Sequence, residues 1–381
     1  MKAHRYSHHR VPLWGRVSIG LVSAALVVSG SLLAVHSHLA LTASASTTPR
    51  GSQDSHGLTL SVTSVTPPPG SSGIAPDISS IQVTFSEPLA ADSPTPTFTP
   101  SVSGTWDQPN PNTLRFTPTE SLIPGSTLTL TIPGGSHGIL AAGGERLATS
   151  LTSTWTVAPG SYLRVQQLLA TLGYLPLTFT PATQVPPVEM ALPQQGSFAW
   201  KWPNTPPSLQ ALWTPGQPNL ITKGAIMTFE EVNHLTTDGL PGPQVWTDLL
   251  NAVYHNQVDP HAYTYIYVSK VLPENLTLWR NGAVVLTSLA NTGVPASPTP
   301  DGTWPIYLRL TFQIMRGVNP NGTKYADPVH WINYFYESDA VHGFQRAAYG
   351  FPQSVGCVEL PIPVAAKVWS MVHIGTLVTV S

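Results

Sequence analysis

The chain has 381 residues and one cysteine, Cys357, in the stretch QSVGCVEL at 353–360. A thiol with no partner in its own chain is a buried small apolar side chain, half of an intermolecular disulfide, or a nucleophile. Its neighbours favour the nucleophile. Catalysis by cysteine needs a thiolate, a base and donors for an oxyanion. His342, fifteen residues earlier at the end of the apolar run Asp339–Gly343, supplies a base. Gly356 lets the backbone turn sharply, so that the N–H groups of Gly356 and Cys357 face a developing oxyanion. A helix predicted just after Cys357, with Val364, Val368, Trp369 and Val372 on one face, would favour thiolate through its N-terminus. His373 on the last predicted strand is the rival base, in Cys-then-His order. His330 reads as structural or cleft-lining. His255 and His261 lack metal-ligand spacing, so neither metal nor cofactor is expected.

These groups must be held by elements the rest of the sequence predicts. Charged residues are only 9%, against roughly 25% in ordinary domains. Pro 39 and Gly 30 argue against a helical bundle. A net charge of −2 gives no basis for nucleic-acid binding. The fold class is multidomain and mainly β, behind an N-terminal transmembrane helix. Residues 1–57 read as a short cytoplasmic tail, an uncharged run Val17–Val35 and a linker. Lys2, Arg5, Arg10 and Arg16 precede that run and the next charge is Arg50, which orients the remainder outside. Ala43-Ser44-Ala45 leaves a cleaved signal peptide as the alternative. The protein is thus expected on the extracytoplasmic face of a bacterial membrane and in the wall, anchored by a single pass or secreted.

Residues 58–158 alternate as short β-branched strands bounded by Pro, Gly, Asn and Asp, which predicts a β-sandwich. They resemble the immunoglobulin-like modules of bacterial surface proteins, and read as a spacer. Residues 161–255 hold VQQLLATLGYL, the turn DGLPGPQVW and a following helix, interrupted by a Pro-rich insertion at 176–220. They resemble the two halves of a peptidoglycan-binding module, with Phe229-Glu230 where that family has Phe-Gln. Residues 262–381 are predicted mainly β, with an Asn281-Gly282 hairpin turn.

The last unit resembles the L,D-transpeptidase catalytic domain of bacterial cell-wall enzymes. The motifs are His342-Gly343, then Ser354-Val355-Gly356-Cys357. Thr292-Gly293, Thr299-Pro300-Asp301-Gly302-Thr303-Trp304 and Gly375–Val378 fall in the family's order. The resemblance implies that Cys357 is the nucleophile and His342 the base. It implies that the Gly343 carbonyl orients the imidazole, that Ser354 holds the loop and that Tyr349-Gly350 shapes the donor site. Two positions depart. Val355 stands where the family has His, and Glu359 where it has Arg or Asn. Glu359 puts a negative charge there, which would repel a substrate carboxylate and attract an amine. The implied activity joins third residues of peptidoglycan stem peptides through a Cys thioester with release of D-Ala, and implies acylation by carbapenems. The alternatives are an L,D-carboxypeptidase using water as acceptor and an inactive wall-binding scaffold. A sortase would need an Arg after Cys357, and the last Arg is Arg346.

Overall fold

The computed structural model describes residues 59–381. The predicted span Val17–Val35 and the alternative cleavage site lie outside the described residues. Among the described residues no helix is long and apolar enough to cross a membrane.

The first part is a sandwich of eight strands: β1 (Val62–Thr66), β2 (Ser72–Ile74), β3 (Ile81–Phe85), β4 (Thr97–Thr99), β5 (Gly104–Asn110), β6 (Thr113–Pro118), β7 (Thr127–Ile132) and β8 (Leu151–Val157). They form two four-stranded sheets, ordered β1-β3-β6-β5 and β2-β8-β7-β4. The period-two pattern does its work here: Ile81, Val83 and Phe85 of β3 point inward while Gln82 and Thr84 do not. Trp155 closes the core, and its indole N–H donates to the Pro67 and Pro68 carbonyls.

The middle part has α1 (Tyr162–Thr171), a hairpin of β9 (Leu177–Pro181) and β10 (Gly196–Trp200), α2 (Pro207–Gln210), α3 (Leu220–Val232) and α4 (Pro243–Tyr254). The Pro-rich insertion therefore folds into a hairpin and a short helix. Ser161 caps α1, Asn219 caps α3, and Pro243 opens α4. Gly173 follows α1 at φ +92°, the stop its type predicts. Glu230 is buried and accepts from the Gly239 N–H at 2.8 Å. Burial pushes its pKa up to about 8, so near neutrality it is largely protonated.

The last part begins with β11 (Thr264–Ser269), β12 (Asn275–Arg280), β13 (Ala283–Leu289) and β14 (Gly302–Pro305). A long hairpin follows, β15 (Leu308–Val318) and β16 (Lys324–Tyr336), then β17 (Asp339–Gly343), β18 (Val358–Leu360), α5 (Ile362–Met371) and β19 (Leu377–Val380). One sheet is ordered β13-β12-β11-β19-β14 and the other β15-β16-β17-β18. The core between them is apolar, with Ile266, Leu278, Val341, Val358 and Val378 fully enclosed, and α5 packs on β16 and β17. Asn281 and Gly282, both at positive φ, make the hairpin turn between β12 and β13.

The helices are not a free-standing module. Their core includes Tyr265, Trp279 and Leu377 of the C-terminal sheet. Thr228 of α3 donates to the Ile374 carbonyl at 3.0 Å, and Glu231 accepts from the Ile374 N–H at 3.0 Å. Gly224 lies against the Gly375 carbonyl, where any side chain would collide.

Candidate active site

β17 and β18 run parallel, with His342 beside Glu359 and Val341 beside Val358. Cys357 is two residues before Glu359. Strand alternation therefore puts Cys357, Glu359 and His342 on one face, with the thiol diagonal to the imidazole. All three line one cavity of about 320 Å³, with Ser354, Val355, Phe344, Arg346 and Gln353. The hairpin β15–β16 contributes Met315, Asn319, Tyr325, Asp327 and Val329.

The turn before Cys357 explains its residue types. Gly356 sits at φ +112°, a conformation L side chains rarely adopt, with the Asp339 carboxylate against its Cα. Thr299 donates to the Gly356 carbonyl at 2.6 Å and accepts from the Gly293 N–H at 2.9 Å. The two upstream motifs thus clamp the nucleophile turn directly. Ser354 Oγ donates to the Cys357 carbonyl at 2.5 Å. Glu274, fully buried, accepts from the Thr292 N–H at 2.7 Å and hydroxyl at 2.8 Å and fixes the strand edge beneath.

Cys357 is half-buried, and its Sγ points to the Ser338 carbonyl at 3.8 Å. Burial pushes the thiol pKa up to about 12; the nearby Ala340 N–H opposes this, and Asp339 and Glu359 add to it. The chain enters β18 directly after Cys357 and reaches α5 only behind Pro361. The predicted helix N-terminus at the thiol is thus displaced by a strand, and no capping turn lowers its pKa. His342 is almost fully enclosed, and burial pulls its pKa down to about 4. Its Nδ1 makes no hydrogen bond; Glu359 and then the Gly343 backbone favour the protonated form, against burial. At rest both groups are neutral, a thiol and an imidazole lining the same cavity. Asp339, whose carboxylate lies against Gly356, is raised to about 6 by burial first and then by Glu337.

Glu359 does not present the free charge expected of it. Arg346 grips it with two hydrogen bonds, at 2.7 and 2.8 Å, and Asn291 Nδ2 reaches it at 3.3 Å. The guanidinium stacks over Phe344 at 4.7 Å and also donates to the Gln353 carbonyl. The positive charge that faces Glu359, two residues after Cys357, comes from the loop after His342. Tyr349 stays outside the cavity lining: its hydroxyl donates to the Phe344 carbonyl and accepts from the Arg346 N–H, tying that loop. Arg346, Asn291, Glu274, Tyr325 and Asp327 escaped the sequence reading. The lone Arg between the two motifs was the signal available for the first.

His373, the rival base, lies elsewhere. It lines a second cleft with His261, Arg309 and Trp369, and its Nδ1 is 3.0 Å from the Ile374 carbonyl.

The model of the L,D-transpeptidase catalytic domain matches residues 263–380. Residues 263–380 are an L,D-transpeptidase catalytic domain. The model of the bacterial Ig-like domain matches residues 57–157, the sandwich. Similar solved structures include the L,D-transpeptidase from Mycobacterium smegmatis, 14% identical, over 85% of this chain and 100% of that one, with a TM-score of 0.30. L,D-transpeptidase 3 from Mycobacterium tuberculosis, in complex with a faropenem-derived adduct, is 15% identical over 84% of this chain and 97% of that one (TM-score 0.30). The catalytic domain from the E. faecium L,D-transpeptidase, acylated by ertapenem, is 27% identical over 31% of this chain and 96% of that one (TM-score 0.28). No curated protein matches the chain. Within the L,D-transpeptidase domain, Val355 gives the cavity wall an apolar side chain directly beside Gly356.

Proposed function

We propose that the protein is a peptidoglycan L,D-transpeptidase working through a Cys357 thioester. The observation that carries this reading is Cys357 and His342 on one face of neighbouring strands, opening into one cavity. Cys357 Sγ attacks the carbonyl between the third stem residue and the terminal D-Ala, while its proton passes to His342. Donation from the Gly356 and Cys357 N–H groups suits the resulting oxyanion. The C–N bond breaks, the leaving amine takes the proton from His342, and D-Ala departs. An amine of a second stem then attacks the thioester carbonyl and gives a proton to His342. The C–S bond breaks, and the thiolate recovers that proton. Ser354, Thr299 and the Arg346–Glu359 pair hold the loops that carry these groups. The neutral resting pair suits this route, since the proton moves as the sulfur attacks and no ion pair is stored beforehand.

The setting we propose is the outer face of the bacterial membrane, with Val17–Val35 as anchor or signal, the sandwich as spacer, and stem peptide and glycan as partners. A β-lactam is a strained amide and so an acyl donor for the same thiol. Intact mass after exposure to a carbapenem is expected to rise by one adduct, lost in Cys357→Ala. Absence of an adduct, together with no D-Ala release from tetrapeptide muropeptides, would sink the enzyme reading and leave a wall-binding scaffold.

A further inference from the structure

Two acidic side chains line the cavity, and only one of them is committed. Glu359 is buried and held by Arg346 and Asn291. Asp327 makes no ion pair and no side-chain hydrogen bond among the described residues. It lies near enough to Arg346 to favour the guanidinium charge, yet does not engage it. Its direction is set by the hairpin. Along β16, Tyr325, Asp327 and Val329 alternate with the exposed Lys324, Ala326 and Pro328, and Met315, the register partner of Asp327, lines the same cavity. Arg346 has its donors on Glu359 and Gln353 and its face on Phe344, so the cavity offers no free cation to a carboxylate. His342 and Cys357 are both uncharged near neutrality.

We propose that Asp327 receives the ammonium of the acyl acceptor and so selects an amine over water as the group that resolves the thioester. This rests on the transpeptidase reading above. A half-buried carboxylate makes a charge-assisted hydrogen bond to an ammonium, whereas water gains little from it. One carboxylate without neighbouring ligands is a poor seat for a metal ion, which takes several oxygens. The bound ammonium first yields one proton to solvent. The neutral amine then forms the new C–N bond as the C–S bond breaks, with His342 carrying the second proton to the sulfur. Asp327 acts here as a specificity residue, and transfers no proton.

The test is product partition with the full chain and a disaccharide-tetrapeptide as both donor and acceptor. Cross-linked dimer and hydrolysed tripeptide are quantified by mass spectrometry in the same reaction. Asp327→Asn is expected to lower the dimer-to-tripeptide ratio about tenfold and raise the KM for acceptor, and Asp327→Glu to recover much of it. The ratio is internal to each sample, so partial misfolding does not move it. An unchanged ratio in Asp327→Asn overturns the assignment, as does a wild-type protein that releases D-Ala yet forms no dimer. Failure of the wild type to form any Cys357 adduct or release D-Ala defeats the transpeptidase reading itself, and this inference with it.

Discussion

Two clefts among the described residues hold a histidine with the same perturbation, His342 almost fully buried and His373 half-buried, and only one of them also holds a thiol. His342 and His373 are both pulled down to about 4, chiefly by burial, and each has one ring nitrogen without a partner. The His373 cleft is the larger, about 500 Å³ against about 320 Å³. It is also richer in imidazole: His373 lies at 4.7 Å, tilted, on His261, with His234 on the same wall. What it lacks is a nucleophile. Its one hydroxyl, Ser370, donates back into its own helix at Lys367. A shifted histidine therefore marks enclosure; chemistry needs the thiol beside it and a turn that exposes backbone N–H groups. Volume and a perturbed pKa alone would select the wrong cleft.

The strongest way to break this contrast is to remove each histidine in turn. His342→Ala is expected to slow carbapenem acylation of Cys357 by about 10³-fold, within the range for loss of a general base. His373→Ala should leave the rate within about twofold, since nothing in its cleft contacts the thiol. Adduct formation followed by intact mass measures both. The reverse result would transfer the base to His373 and require the two clefts to communicate.

The same contrast shows what a sequence can carry. That Cys357 and His342 share one cavity was legible because the proposed chemistry demands particular residue types at short separations, and strand alternation then settles their faces. The sandwich was legible because half-buried strands impose period two. The commitment of Glu359 to Arg346 was not legible. It depends on a loop returning across a parallel strand pair, and no local pattern encodes that return. The helix predicted from Val364, Val368, Trp369 and Val372 is present as α5, but its N-terminus does not reach Cys357. Val358–Leu360 pairs with β17 as a strand and so separates the thiol from that helix. Tyr325 and Asp327 lie far along a thirteen-residue strand, where only register reveals which side chains face the cavity. The fusion of the helices to the catalytic sheet was hidden likewise, because amphipathic helices do not specify what their apolar face meets.

The two clefts also differ in how their arginines are used, which gives a second test. Arg346 neutralises Glu359, whose side chain is only 6% exposed. Arg309 instead lies over Trp369 at 4.2 Å and hydrogen-bonds Asn333, with no carboxylate in its grip. Arg346→Ala leaves a carboxylate buried without its partner, at a cost of about 3 kcal/mol. Arg309→Met keeps much of the packing and should cost about 1 kcal/mol. Urea unfolding of each variant measures the difference. Replacing Arg346 and Glu359 together by Met should recover most of the loss, and equal costs for the two single variants would remove the distinction between a charge-compensating and a packing arginine.

The smallest expected effect is one in which the clefts should behave alike. A histidine that titrates near 6.5 when unfolded and near 4 when folded binds its proton first in the unfolded chain. Over that window the unfolded state holds more protons, so stability falls as pH drops from about 6.5 toward 4. Asp339 and Glu230 have folded values of about 6 and about 8, and they act in the opposite sense. Each keeps in the native state a proton that the unfolded chain has released, so their contribution weakens as pH rises through those ranges. The wild-type profile is thus a partial cancellation, and the histidines are isolated only by difference. Relative to His342→Gln, the wild type should lose stability by about 1 kcal/mol per pH unit on acidification through the window. His373→Gln should give the same slope, although only the first substitution is expected to slow acylation strongly. A flat difference for either variant would mean that its histidine is not held neutral by burial, and the two clefts would then part in their electrostatics as well as in their chemistry.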